Sequence, residues 1–412
     1  MANFVPFRAV RPAADRVSRV VTRSYEDYSL RERKALLADN RESFLHILNP
    51  GYRSHRKFRG AERYRHVRQR YLEFLEQGVL IRDREPAFYL YRNGQGGHTA
   101  WGVLGAMEIS DYALGRVKRH EDTIRRREER FADFLEGARF NAEPVLIAYP
   151  DAPRLEDLLQ RIMQGPPDTD FTDDRGVRHE LWAVTGTQEI RAIREAFAEI
   201  PQTYIMDGHH RSASSVLYAS RREAATPGVG QENAPHHYFL SCLIPESQVR
   251  IRSFSRLLTD LGGLATREIL DKLHVFYQVD DLGESAWEPE EKHQFTMYLD
   301  GRFYRLALRE DTFHLAGPVS RLDSRILSET VLRPVFGISD PRHDARLHYR
   351  CGPEPAREIQ EAVDRGHFAV GFGMRPVDLA EIRAVADAGL TMPPKSTFIE
   401  PKLPSGLTIY DL

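Results

Sequence analysis

Tyr204-Ile-Met-Asp207-Gly208-His209-His210-Arg211-Ser212 is the stretch on which the reading of this chain turns. A short apolar strand ends at Met206, and a helix is predicted from about Ser212. Upstream, the pattern predicts a strand at 181–185, a helix at 187–199 and a strand at 202–206. With a helix at 212–222 this is a β-α-β-α rhythm, which predicts an α/β element. Between the last strand and helix lie a carboxylate, a glycine, two imidazoles and a guanidinium. A helix N-terminus offers unpaired N–H groups and the positive end of a dipole. Gly208 allows a tight turn and close approach of a ligand. His209, His210 and Arg211 add donors suited to phosphate oxygens, Arg bidentately. Asp207 supplies a hard oxygen that could hold Mg²⁺ or orient a histidine. The plainer alternative is an Asp N-cap with solvated basic residues. The pattern names an anion site without naming the anion.

Working outward, Ser29 and Glu32 form a capping box for a helix from Ser29 to Ala38. Residues 61–77 put Tyr64, Val67, Tyr71, Phe74 and Leu75 on one helical face, with Gly78 as a stop. Ala87–Arg92 and Ala100–Ile109 flank a glycine-rich turn and predict a hairpin. A charged helix is expected at 120–136, a buried strand at 144–149 and a loop at 164–180. Residues 223–235 (EAATPGVGQENAP) read as a linker. The expected organisation is an N-terminal α/β domain over 1–222, that linker, and a C-terminal α+β region over 236–412. The latter includes a hairpin turning at Asp300-Gly301 and a tail, Met392–Leu412, expected to be ordered.

Composition narrows the classes. The 412 residues carry a net charge of −2, so no global basic field exists to hold nucleic acid or an anionic membrane. Two cysteines, Cys242 and Cys351, exclude a disulfide framework and fit a reducing cytoplasm. No apolar run reaches membrane-spanning length, and Met1 to Asp15 lacks the apolar core of a signal peptide. No Gly-Lys pair exists, so no Walker A loop. Gly371-Phe-Gly373 lacks the third glycine of a dinucleotide fingerprint. His179-Glu180-Leu-Trp-Ala183 has Ala where a zincin needs its second His. No nucleophile elbow surrounds any serine.

The Asp207–Arg211 loop resembles the Asp-Gly-His-His-Arg loop of domain-of-unknown-function family 1015, which is similar to the free-serine kinases of the ParB/sulfiredoxin-like superfamily. Further segments carry the resemblance: Val5–Pro12, Ser24–Ser29, Asn40–His46, Val117–Thr123, His179–Trp182 and Met392–Lys402. Ser24 and Arg41 stand where the family has Pro, and Glu26 where it has Asp. The resemblance implies a ParB/sulfiredoxin-like mixed core, α/β (α+β), with a second α+β region. It implies phosphate contacts from Asp207, Gly208, His209, His210 and Arg211, with Ser212 beside them. A carboxylate base toward a substrate hydroxyl falls to Glu26, with Asp27 as its rival.

Two other clusters are candidates for the same phosphates. Lys118-Arg119-His120-Glu121 is expected to open the charged helix and could face the main loop; the alternative is a solvated cationic turn before an amphipathic helix. Only seven of the 58 basic residues are Lys, and Lys395 and Lys402 share the tail. A tail that folds back could deliver a Lys to a phosphate, with Lys395 the one assigned. The implied activity is a cytoplasmic small-molecule kinase using ATP or ADP with Mg²⁺. Asp207, His209 and Glu26 would be its catalytic groups, and the acceptor a small hydroxyl compound, free serine among them. The rival readings are a ParB-like nucleotide switch and a phosphohydrolase using His209 or His210. No nucleic-acid or membrane partner is expected.

Overall fold

A computed structural model describes residues 3–53, 55–95, 97–225 and 234–412. The chain is mixed α/β and divides into two compact units, one of residues 1–249 with 401–412, the other of 250–400.

Among the described residues the first unit holds a nine-stranded sheet. Its order is Val117–Lys118, Thr203–Asp207, Val145–Tyr149, Tyr238–Pro245, His98–Glu108, Phe88–Gln95, Arg178–Val184 and Thr169–Thr172. Phe4–Val5 adds to His98–Glu108. Thr203–Asp207 runs parallel to Val117–Lys118 and antiparallel to Val145–Tyr149. Phe88, Val103, Ile147, Ile205 and Phe239 from the sheet pack with Leu159, Ile193 and Phe197 from two helices. Those helix residues recur at the spacing that puts one face inward.

A smaller core lies under the Gly60–Glu76 helix. Val67, Tyr71 and Phe74 meet Phe44, Phe140 and Ile409, all buried. Ile409 comes from the C-terminal tail, which is stitched in by Ile409–Val10 and Tyr410–Asn141 pairing.

The helix over Leu30–Asp39 has both bonds of the Ser29–Glu32 capping box. The helix Thr187–Glu199 falls where the pattern predicts it, and a further helix covers Thr266–Leu273. Three local expectations change. The 164–180 loop contains an edge hairpin, Thr169–Thr172 with Arg178–Val184. Asp173 Oδ1 accepts from the Arg175 and Val177 amides at 2.9 Å each, closing its turn. Its polar residues hid the strands, as edge strands commonly do. The Pro153–Ile162 helix, burying Leu155 and Leu159, went unread. The charged helix begins at Arg125, because the Ile124 amide is held by His210.

Residues 226–233 of the 223–235 segment lie outside the described residues. The strand after it, Tyr238–Pro245, pairs inside the first unit with His98–Glu108 and Val145–Tyr149. The two compact units therefore meet in sequence at Val249 and Arg250, with residues 401–412 returning to the first.

The second unit is a six-stranded antiparallel sheet among the described residues. Its order is Tyr277–Gly283, Arg302–Leu308, Gln294–Leu299, Val370–Met374, Ser255–Leu258 and Leu347–Arg350. Asp300 and Gly301 have φ of 51° and 73°, the double positive that a tight hairpin turn requires. No helix among the described residues is long and apolar enough to cross a membrane.

Candidate functional site

The site grows from the end of the Thr203–Asp207 strand. Tyr204, Ile205 and Met206 are buried inside the sheet. An irregularity between Ile205 and Asp207 breaks the register against Val145–Tyr149 and turns the chain. Gly208 follows with φ +98°, and the helix His209–Ala225 begins at once, three residues earlier than expected.

Arg211 folds back over Gly208. Its Nη2 lies 3.2 Å from Asp207 Oδ2, and its Nη1 lies 3.1 Å from Glu143 Oε2. Glu143 also accepts from Ser405 Oγ at 2.7 Å and from Ser24 Oγ at 3.3 Å. Lys402 Nζ stands 3.6 Å from Asp207 Oδ2. Partial burial opposes ionisation of Asp207, but Arg211 and Lys402 outweigh it and hold the carboxyl below its ordinary value.

A Cβ at Gly208 would come within 2.7 Å of Arg211 Nε and 2.8 Å of Nη2. Gly208→Ala combines a left-handed backbone costing about 1–2 kcal/mol with displacement of the guanidinium. The expected result is a thermal midpoint lowered by a few degrees and a weakened anion site. Unchanged melting and binding would remove Gly208 from this account.

Both histidines are tied to the segment before the Arg125–Ala138 helix. His209 Nε2 accepts the His120 amide at 3.5 Å, and His210 Nε2 accepts the Ile124 amide at 3.1 Å. An accepting Nε2 assigns the proton of a neutral ring to Nδ1. His209 Nδ1 faces Glu121 Oε2 at 3.7 Å. The rings of His120 and His209 are buried and meet edge to face at 4.6 Å. Burial pushes His209 well below the ordinary imidazole value, and the His120 charge would add to this. His120 is lowered to about 4, chiefly by burial.

That depression has a sign for stability. Between pH 6.5 and about 4 the unfolded His120 binds a proton that the folded one refuses. Its contribution is fully present above pH 6.5 and is lost as pH falls toward 4. His120→Phe, which keeps a ring in place, is expected to flatten this acid limb of the melting curve. An identical pH profile in the variant would refute the assignment.

The carboxylate candidates sit on a single helical turn, Tyr25–Asp27, between Ser24 and the capped Leu30–Asp39 helix. Both are exposed. The two address different neighbours. Glu26 acts electrostatically on His210. Asp27 is pushed above its ordinary value, first by the protein packed around it and also by Glu143, against Arg175 and Lys402.

The fold thus brings together Glu26, Asp207, Gly208, His209, His210, Arg211 and His120. Lys118 is the strand partner of Tyr204 in the edge pairing. Arg119 is exposed and donates to Tyr112 Oη at 3.3 Å, its charge reaching His209. Ser212 is fully buried, and its hydroxyl donates to the His209 carbonyl at 3.0 Å, into the helix rather than outward. Lys395 belongs to the second unit, where its amine lies over the Phe254 ring at 5.1 Å. The tail lysine beside Asp207 is Lys402. Glu143, Ser24 and Ser405 were not read as site residues, since isolated polar residues without spacing carry no local signal.

Among the described residues no group of three or more His, Cys, Asp or Glu is placed to hold a metal ion. Mg²⁺ commonly takes one or two carboxylates and completes its shell with water and phosphate oxygens. Asp207, ionised and partly exposed, fits that as a single ligand.

A family model described as a protein of unknown function, DUF1015, matches residues 4–325. No curated protein matches the chain. Among solved structures, one titled free serine kinase in complex with AMP is 13% identical, with a TM-score of 0.37, over 76% of this chain and 91% of that one. A conserved hypothetical protein from Pyrococcus furiosus is 13% identical, with a TM-score of 0.35, over 76% of this chain and 94% of that one. SbnI with a C-terminal truncation, from Staphylococcus aureus, is 12% identical, with a TM-score of 0.37, over 72% of this chain and 82% of that one.

Proposed function

The chain belongs to the DUF1015 family, and from that premise we propose that it is a nucleotide-dependent kinase acting on a small hydroxyl compound, free serine being the first acceptor to test. The observation that carries this reading is the strand–Gly208–helix junction. There a helix start, Arg211 and Asp207 meet, with the Tyr25–Asp27 turn within electrostatic reach of His210 and Lys402.

The nucleotide phosphates would lie on the first turn of the His209–Ala225 helix, where N–H groups and the dipole favour negative charge. Arg211 would turn from its carboxylate partners onto phosphate oxygens. Asp207 would hold Mg²⁺ carried by the nucleotide, an ion that neutralises phosphate charge. Glu26 would accept the proton of the acceptor hydroxyl, and the rest of the rate would come from positioning, as phosphoryl transfer generally requires. The histidines serve better as anchors than as acid–base groups. Each Nε2 is occupied by a backbone N–H, which weighs against a histidine-dependent phosphohydrolase.

The test is a melting screen with AMP, ADP and ATP, with and without Mg²⁺, followed by product analysis. A ligand at 100 times its Kd stabilises by about 2.7 kcal/mol. Phosphate should move to a hydroxy amino acid. No stabilisation by any nucleotide sinks the reading, and phosphate lost only to water replaces the kinase with a hydrolase.

A further inference from the structure

We infer that Lys402, carried by the C-terminal tail, is the second phosphate-binding cation of this site and selects nucleotides with more than one phosphate; the inference rests on the nucleotide reading above. Three observations converge on it.

The first is position. Lys402 Nζ shares Asp207 Oδ2 with Arg211 Nη2, at 3.6 and 3.2 Å. Two cations on one carboxylate oxygen leave each able to exchange that partner for a phosphate oxygen. The second is reach. The Lys402 charge acts on Asp207 and also on Asp27, which come from different segments. The Lys402 charge is thus felt at the Tyr25–Asp27 turn, where the acceptor hydroxyl would be, as well as at Asp207. Arg211, bridging Asp207 and Glu143, is anchored at the helix start. A phosphate beside the helix start would meet Arg211, and a terminal phosphate nearer the acceptor would meet Lys402.

The third is how firmly the tail is held. Ser405 exchanges backbone hydrogen bonds with Thr22 at 2.7 and 3.2 Å, and its hydroxyl donates to Glu143 at 2.7 Å. The Gly406 amide donates to the Ala142 carbonyl at 3.0 Å. Gly406 has φ +78°, and a Cβ there would come within 2.8 Å of the Phe44 ring. The chain three residues past Lys402 is thus clamped to the segment that carries Glu143. The entropy cost of ordering the tail backbone that carries Lys402 is in part met before a ligand arrives.

The experiment is calorimetric titration of the full chain with AMP, ADP and the β,γ-methylene analogue of ATP. Lys402→Met keeps an unbranched stem and removes the charge. It should bind AMP within about twofold of wild type and lose ten- to a hundredfold toward the ATP analogue, the span of one charge-assisted contact. Lys402→Arg should recover most of that loss. Lys402→Gln supplies the same comparison if the Met variant melts early. Equal affinity of wild type and Lys402→Met for the ATP analogue overturns the inference and leaves the nucleotide reading intact. An equal loss toward all three nucleotides also overturns it, since that marks a general role in shaping the site. A wild type that binds none of the three refutes the nucleotide reading itself.

Discussion

Glu26→Gln is expected to bind nucleotide as wild type does and to lose phosphoryl transfer by two to four decades, the usual range for one positioned general base. The amide keeps the shape and hydrogen-bonding capacity of the side chain but cannot take the hydroxyl proton. Glu26 rather than its neighbour is the candidate base because the two carboxylates couple electrostatically to different groups. Asp27 feels the charges of Arg175, Lys402 and Glu143, whereas the Glu26 charge acts on His210 at the helix start. Single-turnover assays with radiolabelled ATP and a panel of hydroxy amino acids measure the effect. A fully active Glu26→Gln beside a dead Asp27→Asn moves the role by one residue. Activity in both variants ends the kinase mechanism.

Arg211→Ala is expected to weaken ADP by ten- to a hundredfold, as loss of a charge-assisted contact worth about 1.5–3 kcal/mol requires. Folding should change little. The Arg211 side chain is 23% exposed, and partly solvated ion pairs contribute about 1 kcal/mol or less. Arg211→Lys separates charge from shape, since one ammonium cannot span Asp207 and Glu143 as the guanidinium does. It should fall between wild type and the alanine variant. Calorimetry on the three proteins gives the order, and an alanine variant that binds ADP like wild type takes Arg211 out of the site.

The candidate site could be picked out locally because its parts are consecutive. Asp207 to Arg211 needs no long-range contact to declare itself, since strand, glycine turn and helix start follow one another in sequence. The Ser29–Glu32 cap and the Asp300-Gly301 turn were legible for the same reason. Ser212 shows the limit of this kind of reading. The same first-turn position that makes a serine a donor for phosphate also lets its hydroxyl bond back to a helix carbonyl, and burial selects the second.

What the residues alone determined is the set of side-chain types gathered at one junction and the periodicities of most strands and helices, because both are written within a few positions of each other. Only the tertiary structure decided which distant groups meet there. Glu143 reaches Arg211 across 68 positions, and Ser405 reaches Glu143 across 262. The choice between the tail lysines illustrates the cause. Lys395 and Lys402 are seven residues apart and locally alike, yet one sits on Phe254 in the second unit and the other on Asp207 in the first. Nothing near either lysine separates them. The pairing of Ser405 with Thr22 and the burial of Ile409 return the last twelve residues to the first unit. That return is driven by hydrophobic burial and backbone pairing with segments hundreds of positions away, interactions that leave no mark on the local sequence pattern.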